Sequence, residues 1–148
     1  RHLLFLKPNF LLVHDQLKFN QDNNNVEVLW HPNPRSIIKK SSDFFDINTP
    51  KNSFKLHTLY PIKNKTIIED FSDLGKFGKR IRIKYDINQR FQNIFTLFYF
   101  ENIASNYSNK YDFNKLGNKF QLNLYSDKNE SSKFLFNNNT LSVKIGKN

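Results

Sequence analysis

The sequence predicts an all-β fold, an antiparallel β-sandwich of about ten short strands at spacings near the ~8–12 residues such folds use. Three observations carry this reading. Apolar residues alternate with polar ones over short runs, as in Phe54/Leu56/Thr58, Ile81/Ile83/Tyr85 and Phe120/Leu122/Leu124, which is the period of a half-buried strand. No segment sustains an i, i+3, i+4, i+7 apolar stripe through successive helical turns. The 16 Phe among 148 residues supply apolar bulk that a disordered chain lacks. That length suits one domain, and no linker or fixed-period repeat divides it.

Taken in order, residues 1–6 and 10–17 are two apolar runs separated by Lys7-Pro8-Asn9, a turn in which Pro presets φ. Residues 20–25 read as a polar loop. Val26, Val28 and Trp30 then alternate with Glu27, Leu29 and His31 until His31-Pro32-Asn33-Pro34 ends the strand, because Pro removes a ladder donor and restrains the residue before it. Residues 41–52 are rich in Asp and Asn and read as a loop. The strand at 54–60 stops at Pro61, Ile67-Ile68 mark a short strand, and residues 70–79, with Gly75 and Gly78, read as a turn. Residues 81–86 form a half-buried strand whose outer face carries Arg82 and Lys84. Residues 93–100 are continuously apolar and aromatic, the pattern of a central strand buried on both faces. Residues 104–115 read as a polar loop. Strands follow around Phe120–Leu124, at 133–136 and, past an Asn137-Asn138-Asn139 turn, at Leu141/Val143/Ile145. In this architecture Trp30 or its neighbours Val28 and Leu29 should be buried.

Composition narrows the function classes. No run approaches the ~18–20 apolar residues of a membrane span. The absence of Cys excludes a disulfide framework, a thiolate zinc site and a cysteine nucleophile. The 23 Lys+Arg against 13 Asp+Glu give a formal charge of +10, which raises nucleic acid as a partner. The cations are scattered, however, and the densest cluster, Lys76, Lys79, Arg80, Arg82 and Lys84, is broken by apolar residues. A solvated basic surface is therefore the expected reading, with nucleic acid disfavoured. An acidic polysaccharide suits the same charge. Arg1 is the first residue and Met is absent, so the chain reads as a piece of a longer one whose natural start is missing. The four Asn-X-Ser/Thr matches, at Asn64, Asn106, Asn129 and Asn138, are what an Asn-rich chain yields by chance.

No self-contained catalytic signature is present: there is no phosphate-cradling glycine loop, nucleophile elbow or His-Glu-X-X-His helix. The residue to single out is His31. It ends a strand beside a rigid Pro-Asn-Pro turn, where an imidazole can act as general acid or base or neutralise a substrate carboxylate. His57, with Asp43 or Asp46 from the preceding loop, would complete a nitrogen/oxygen metal set with His31 if the two histidines shared a sheet. His14, beside Asp15 in an apolar run, reads as a packed or edge histidine. His2, at the very start of the chain, decides nothing. The six Tyr read mainly as packing residues.

The N-terminal segment Arg1-His2-Leu3-Leu4-Phe5-Leu6-Lys7-Pro8-Asn9-Phe10-Leu11-Leu12-Val13-His14-Asp15 resembles the strand–turn–strand of heparinase II/III-like proteins. Val26-Glu27-Val28-Leu29-Trp30-His31 is similar to that family's next strand, which often ends in an aromatic and a His. The strands at 54–61 and 93–100 fit its strand order. The resemblance implies the C-terminal β-sandwich of a lyase that cleaves uronic-acid polysaccharides by β-elimination, after an N-terminal α/α toroid that carries much of the machinery. It implies a catalytic role for His31 alone. Because no second His stands beside His31, it implies no metal, and no cofactor is expected. The implied partners are an acidic polysaccharide and the parent's toroid, and the implied location is periplasmic or extracellular. This chain by itself should be inactive. The alternative is a non-catalytic carbohydrate-binding or surface-adhesion sandwich.

Overall fold

The computed structural model describes residues 1–6, 9–74, 78–101, 107–126, 130–137 and 140–147. Among them the strands in chain order are β1 (His2–Leu6), β2 (Phe10–Lys18), β3 (Asn24–Trp30), β4 (Ile37–Lys40), β5 (Phe44–Asn48), β6 (Ser53–Tyr60), β7 (Lys65–Phe71), β8 (Gly78–Ile87), β9 (Phe91–Phe100), β10 (Tyr107–Leu116), β11 (Lys119–Ser126), β12 (Glu130–Asn137) and β13 (Thr140–Lys147). A single 3₁₀ turn, Ser72–Leu74, is the helical content of these residues. All pairings are antiparallel. The all-β class is therefore as the alternation predicts. No helix is long and apolar enough to cross a membrane among the described residues.

The chain divides into two compact units, Arg1–Ile103 and Ala104–Asn148. The first is built from a six-stranded sheet, ordered β1-β2-β9-β6-β5-β4, and a three-stranded sheet, ordered β3-β8-β7. The chain crosses between sheets after β2, β3, β6 and β8, so neighbours in sequence often lie in opposite layers. The layers meet through one apolar cluster. Val28, Ile81, Ile83, Tyr85 and Ile87 come from the smaller sheet, and Ile38, Phe45, Ile47, Leu56 and Ile94 from the larger. Alternation along β8 explains this: Ile81, Ile83 and Tyr85 are at most 1% exposed, while Arg80, Arg82 and Lys84 lie on the opposite face. Each fully buried aliphatic side chain of this kind contributes roughly 1.5–3 kcal/mol. Trp30 closes one end of the layer, edge-on to Phe98 at 4.9 Å. Val28 is buried as expected, Trp30 is half-buried, and Leu29 turns outward.

β9 lies between β2 and β6 and is buried on both faces, with Ile94 and Thr96 on one and Phe95 and Leu97 on the other. Its continuous apolar run is thereby explained. The second unit is a four-stranded meander, β10-β11-β12-β13. Phe120, Leu122 and Leu124 face Phe136, Phe134 and Ser132 across the β11–β12 register, and all six are buried. Gly117, at φ 60°, supplies the positive φ of the tight β10–β11 turn.

Several loop readings are corrected. Residues 41–52 contain β5, whose Phe45 and Ile47 are core residues; Asp46 and Asn48, on its other face, mask the alternation. Residues 107–115 belong to β10, where Tyr111 and Phe113 alternate with exposed Asp112 and Asn114. Strand β3 begins within the polar stretch, at Asn24. Asp70, read as part of a turn, is still in β7, and β8 starts at Gly78. Residues 7–8 of the first turn, 75–77, and Asn138-Asn139 lie outside the described residues.

Candidate functional site

The two histidines considered as a pair do not meet. His31 is exposed, just past β3 of the smaller sheet, whereas His57 lies in β6 of the larger one. His57 faces away from the inter-sheet core, since its neighbour Leu56 points into it. It stands opposite Phe44 in the β5–β6 register, with ring centroids 5.1 Å apart. Burial, reinforced by the nearby Lys55 ammonium, pushes the His57 imidazole down to about 4, so it is neutral near pH 7. Among the described residues no cluster of three His, Cys, Asp or Glu side chains could hold a metal ion. The set of His31, His57 and Asp43 or Asp46 is therefore not assembled.

His14 is a packed histidine. It is 6% exposed, stacks on Phe95 with centroids 4.1 Å apart, and its Nε2 lies 2.8 Å from Asn93 Oδ1. Burial lowers its affinity for a proton, against the Asn93 hydrogen bond. Beside it in sequence, Asp15 accepts two hydrogen bonds from the Arg1 guanidinium, at 2.7 and 2.9 Å. That guanidinium also lies over the Trp30 ring, 5.3 Å from its centroid.

The densest run of cations is spent within the fold. Glu69 bridges Arg80 and Arg82, and Glu27 bridges Arg82 and Lys84 across the outer face of the smaller sheet. Lys76 lies outside the described residues. Two acidic residues thus answer three cations, which makes this face a poor trap for a polyanion.

A different group of residues forms a groove of about 830 Å³ at one loop end of the first unit. Its walls are two turns of similar sequence, closed by backbone hydrogen bonds that run in opposite directions. In Asn33-Pro34-Arg35-Ser36, the Ser36 N–H donates to the Asn33 carbonyl at 2.8 Å and the Arg35 N–H to Asn33 Oδ1 at 2.9 Å. Between β5 and β6, Thr49-Pro50-Lys51-Asn52 is closed by the Thr49 N–H donating to the Asn52 carbonyl at 2.8 Å. The Asn52 N–H in turn donates to Thr49 Oγ1 at 2.9 Å. Each turn therefore runs small polar residue, Pro, cation, small polar residue. Pro at the second position fixes φ near −65°, and the Asn or Thr side chain satisfies the backbone locally. Each holds its cation, Arg35 or Lys51, at the third position on the groove wall. Ser72 and Gly78 complete the lining, and among the described residues no lining residue is acidic.

Gly78 is what lets the wall close. A Cβ at this position would lie 2.5 Å from Pro34 Cα and 2.7 Å from its carbonyl oxygen, and the backbone φ is +61°, a conformation that favours glycine. The groove residues escape sequence reading because they come from separate connections. The shared Pro-cation pattern at 34–35 and 50–51 is the signal that could have found them.

Fold and groove together define a β-sandwich with a preformed basic groove at one loop end. No family model matches the chain, and neither a curated protein nor a solved structure matches it.

Proposed function

We propose that this chain is a binding module for an acidic polysaccharide, and that the groove between the Asn33–Ser36 and Thr49–Asn52 turns holds the chain of the polymer. The carrying observation is the pair of turns that set Arg35 and Lys51 on one groove, whose described lining holds no acidic residue. A guanidinium donates two parallel hydrogen bonds to a uronate carboxylate or a sulfate, and an ammonium adds a second point of charge. Because both turns satisfy their own backbone, little ordering cost remains on binding. The test is titration with a uronic-acid oligosaccharide. Arg35→Ala with Lys51→Ala should weaken binding about 10- to 30-fold, on the order of 1 kcal/mol per exposed contact, and the remaining affinity should depend less on salt. Unchanged affinity in the double variant overturns the assignment to this groove.

A second reading rests on the resemblance to heparinase II/III-like lyases. His31 is exposed on the connection that runs directly into Asn33 and Pro34 of the groove wall. In a parent with a toroid, His31 would exchange a proton with the uronate bound there, and Arg35 would neutralise its carboxylate. Elimination leaves a C4–C5 double bond conjugated with the carboxylate, which absorbs in the ultraviolet. This chain alone should give no such absorbance. In the parent, His31→Ala should slow turnover about 10²–10⁴-fold. Near-normal turnover in that variant removes His31 from the chemistry without touching the binding assignment.

A further inference from the structure

The hydrogen-bonding groups of the groove decide which part of a bound polymer can be recognised, and the two turns spend most of their acceptors on themselves. Asn33 Oδ1 takes the Arg35 N–H at 2.9 Å, and the Asn33 carbonyl takes the Ser36 N–H at 2.8 Å. Thr49 Oγ1 accepts from the Lys51 and Asn52 N–H groups at 3.3 and 2.9 Å. Its own proton goes to the Asn52 carbonyl at 2.8 Å. The Pro34 carbonyl lies against the Gly78 backbone. Ser72 gives its hydroxyl proton to Asp70 Oδ1. The described lining side chains are thus weighted towards donors. They offer the Arg35 guanidinium, the Lys51 ammonium and the amide nitrogens of Asn33 and Asn52, against two uncharged acceptors, Asn52 Oδ1 and Ser72 Oγ.

A site that reads a hydroxyl holds a polar group in place for it, and it rejects the analogue that misses that group by factors of up to about 10⁴–10⁵. The described lining holds no carboxylate to take a sugar hydroxyl's proton. Its strong groups are cationic donors, whose natural complement is an ionised group that only accepts. We infer that the site recognises the anionic group of the polysaccharide, carboxylate or sulfate ester, and not the configuration of the sugar that bears it. This rests on the groove being the binding site. The ligand class is then any linear polysaccharide that repeats such a group, whichever epimer carries it.

The test is calorimetric titration of the 148-residue chain with β-1,4-linked oligosaccharides of one length. Four are used: oligoglucuronate, oligomannuronate, the methyl ester of oligoglucuronate, and a cello-oligosaccharide sulfated at O6. The two acids differ only at C2 and should bind within about 5-fold of each other, and the sulfated chain should bind as well. The methyl ester keeps every hydroxyl and loses the charge, so it should bind about 10- to 30-fold more weakly than the acid. That gap should close in Arg35→Ala with Lys51→Ala, where acid and ester bind alike. Both positions are exposed, so the variant keeps the fold. A wider gap between the two acids overturns the inference while the groove assignment stands. So does a sulfated chain that does not bind, or an ester that binds as well as the acid. If neither acid's affinity responds to the double variant, the groove assignment itself fails, and this inference with it.

Discussion

The backbone of Gly78 lies against Pro34, in a space where a Cβ would come within 2.5 Å of the Pro34 Cα. This contact ties the start of β8 to the turn that carries Arg35, and it sets one wall of the groove. Gly78→Ala should therefore cost both the strain of a positive φ, about 1–2 kcal/mol, and a displacement of the turn. Gly117 is a built-in comparison, with φ +60° and nothing within 4 Å of its missing Cβ. Denaturant unfolding should show Gly117→Ala losing only the φ cost, and Gly78→Ala losing distinctly more. Equal losses would mean that the Pro34 contact has no energetic weight.

His57 gives the fold a pH dependence of known sign. Its imidazole is pushed from the ordinary 6.5 down to about 4, chiefly by burial. Unfolded chains therefore bind more protons than folded ones between those values, and stability falls as pH drops from about 6.5 towards 4. Allowing for its partial exposure, the loss is on the order of 1–2 kcal/mol. His14, shifted in the same direction by burial, adds to it. Unfolding midpoints at pH 7.5 and 5 should differ less in His57→Gln than in the wild type. An identical pH response would remove His57 from the account.

Tyr85 places a hydroxyl in the inter-sheet core, with no hydrogen-bond partner among the described residues. Burial raises its ionisation well above the usual phenol range. A buried hydroxyl without a partner is a cost rather than a gain. Tyr85→Phe should be neutral or more stable by up to about 1 kcal/mol, as read from the unfolding midpoint. A loss above that value would show that the hydroxyl makes a bond that matters.

What the sequence discloses follows from the range of the interactions involved. Alternation along 81–85 and 120–124 is local, so those strands and their buried faces are legible. β5 and β10 are not, because Asp46, Asp112 and Asn114 dilute the apolar positions while the backbone still pairs. Sheet membership is less legible still. His31 and His57 both end up on strands or their ends, yet chain crossings place them on different sheets, and no local pattern reports that. The groove has the same character. Asn33-Pro34-Arg35-Ser36 and Thr49-Pro50-Lys51-Asn52 each read as an ordinary turn, and only the pairing of distant strands brings Arg35 and Lys51 to one cavity. Conversely, the cation cluster at 79–84 stands out in sequence and is largely paired in the fold, by Asp70, Glu69 and Glu27.

The groove assignment is tested most directly by two-dimensional ¹H–¹⁵N NMR during titration with a uronic-acid oligosaccharide, with a neutral glucan of equal length and a short DNA strand as controls. The account predicts that amide shifts gather at Asn33, Arg35, Lys51, Asn52 and Ser72, saturate with the uronate, and are absent with the glucan. They should be weaker with DNA. Shifts that gather instead on the outer face of β8, around Arg80, Arg82 and Lys84, or equal responses to all three ligands, would contradict it.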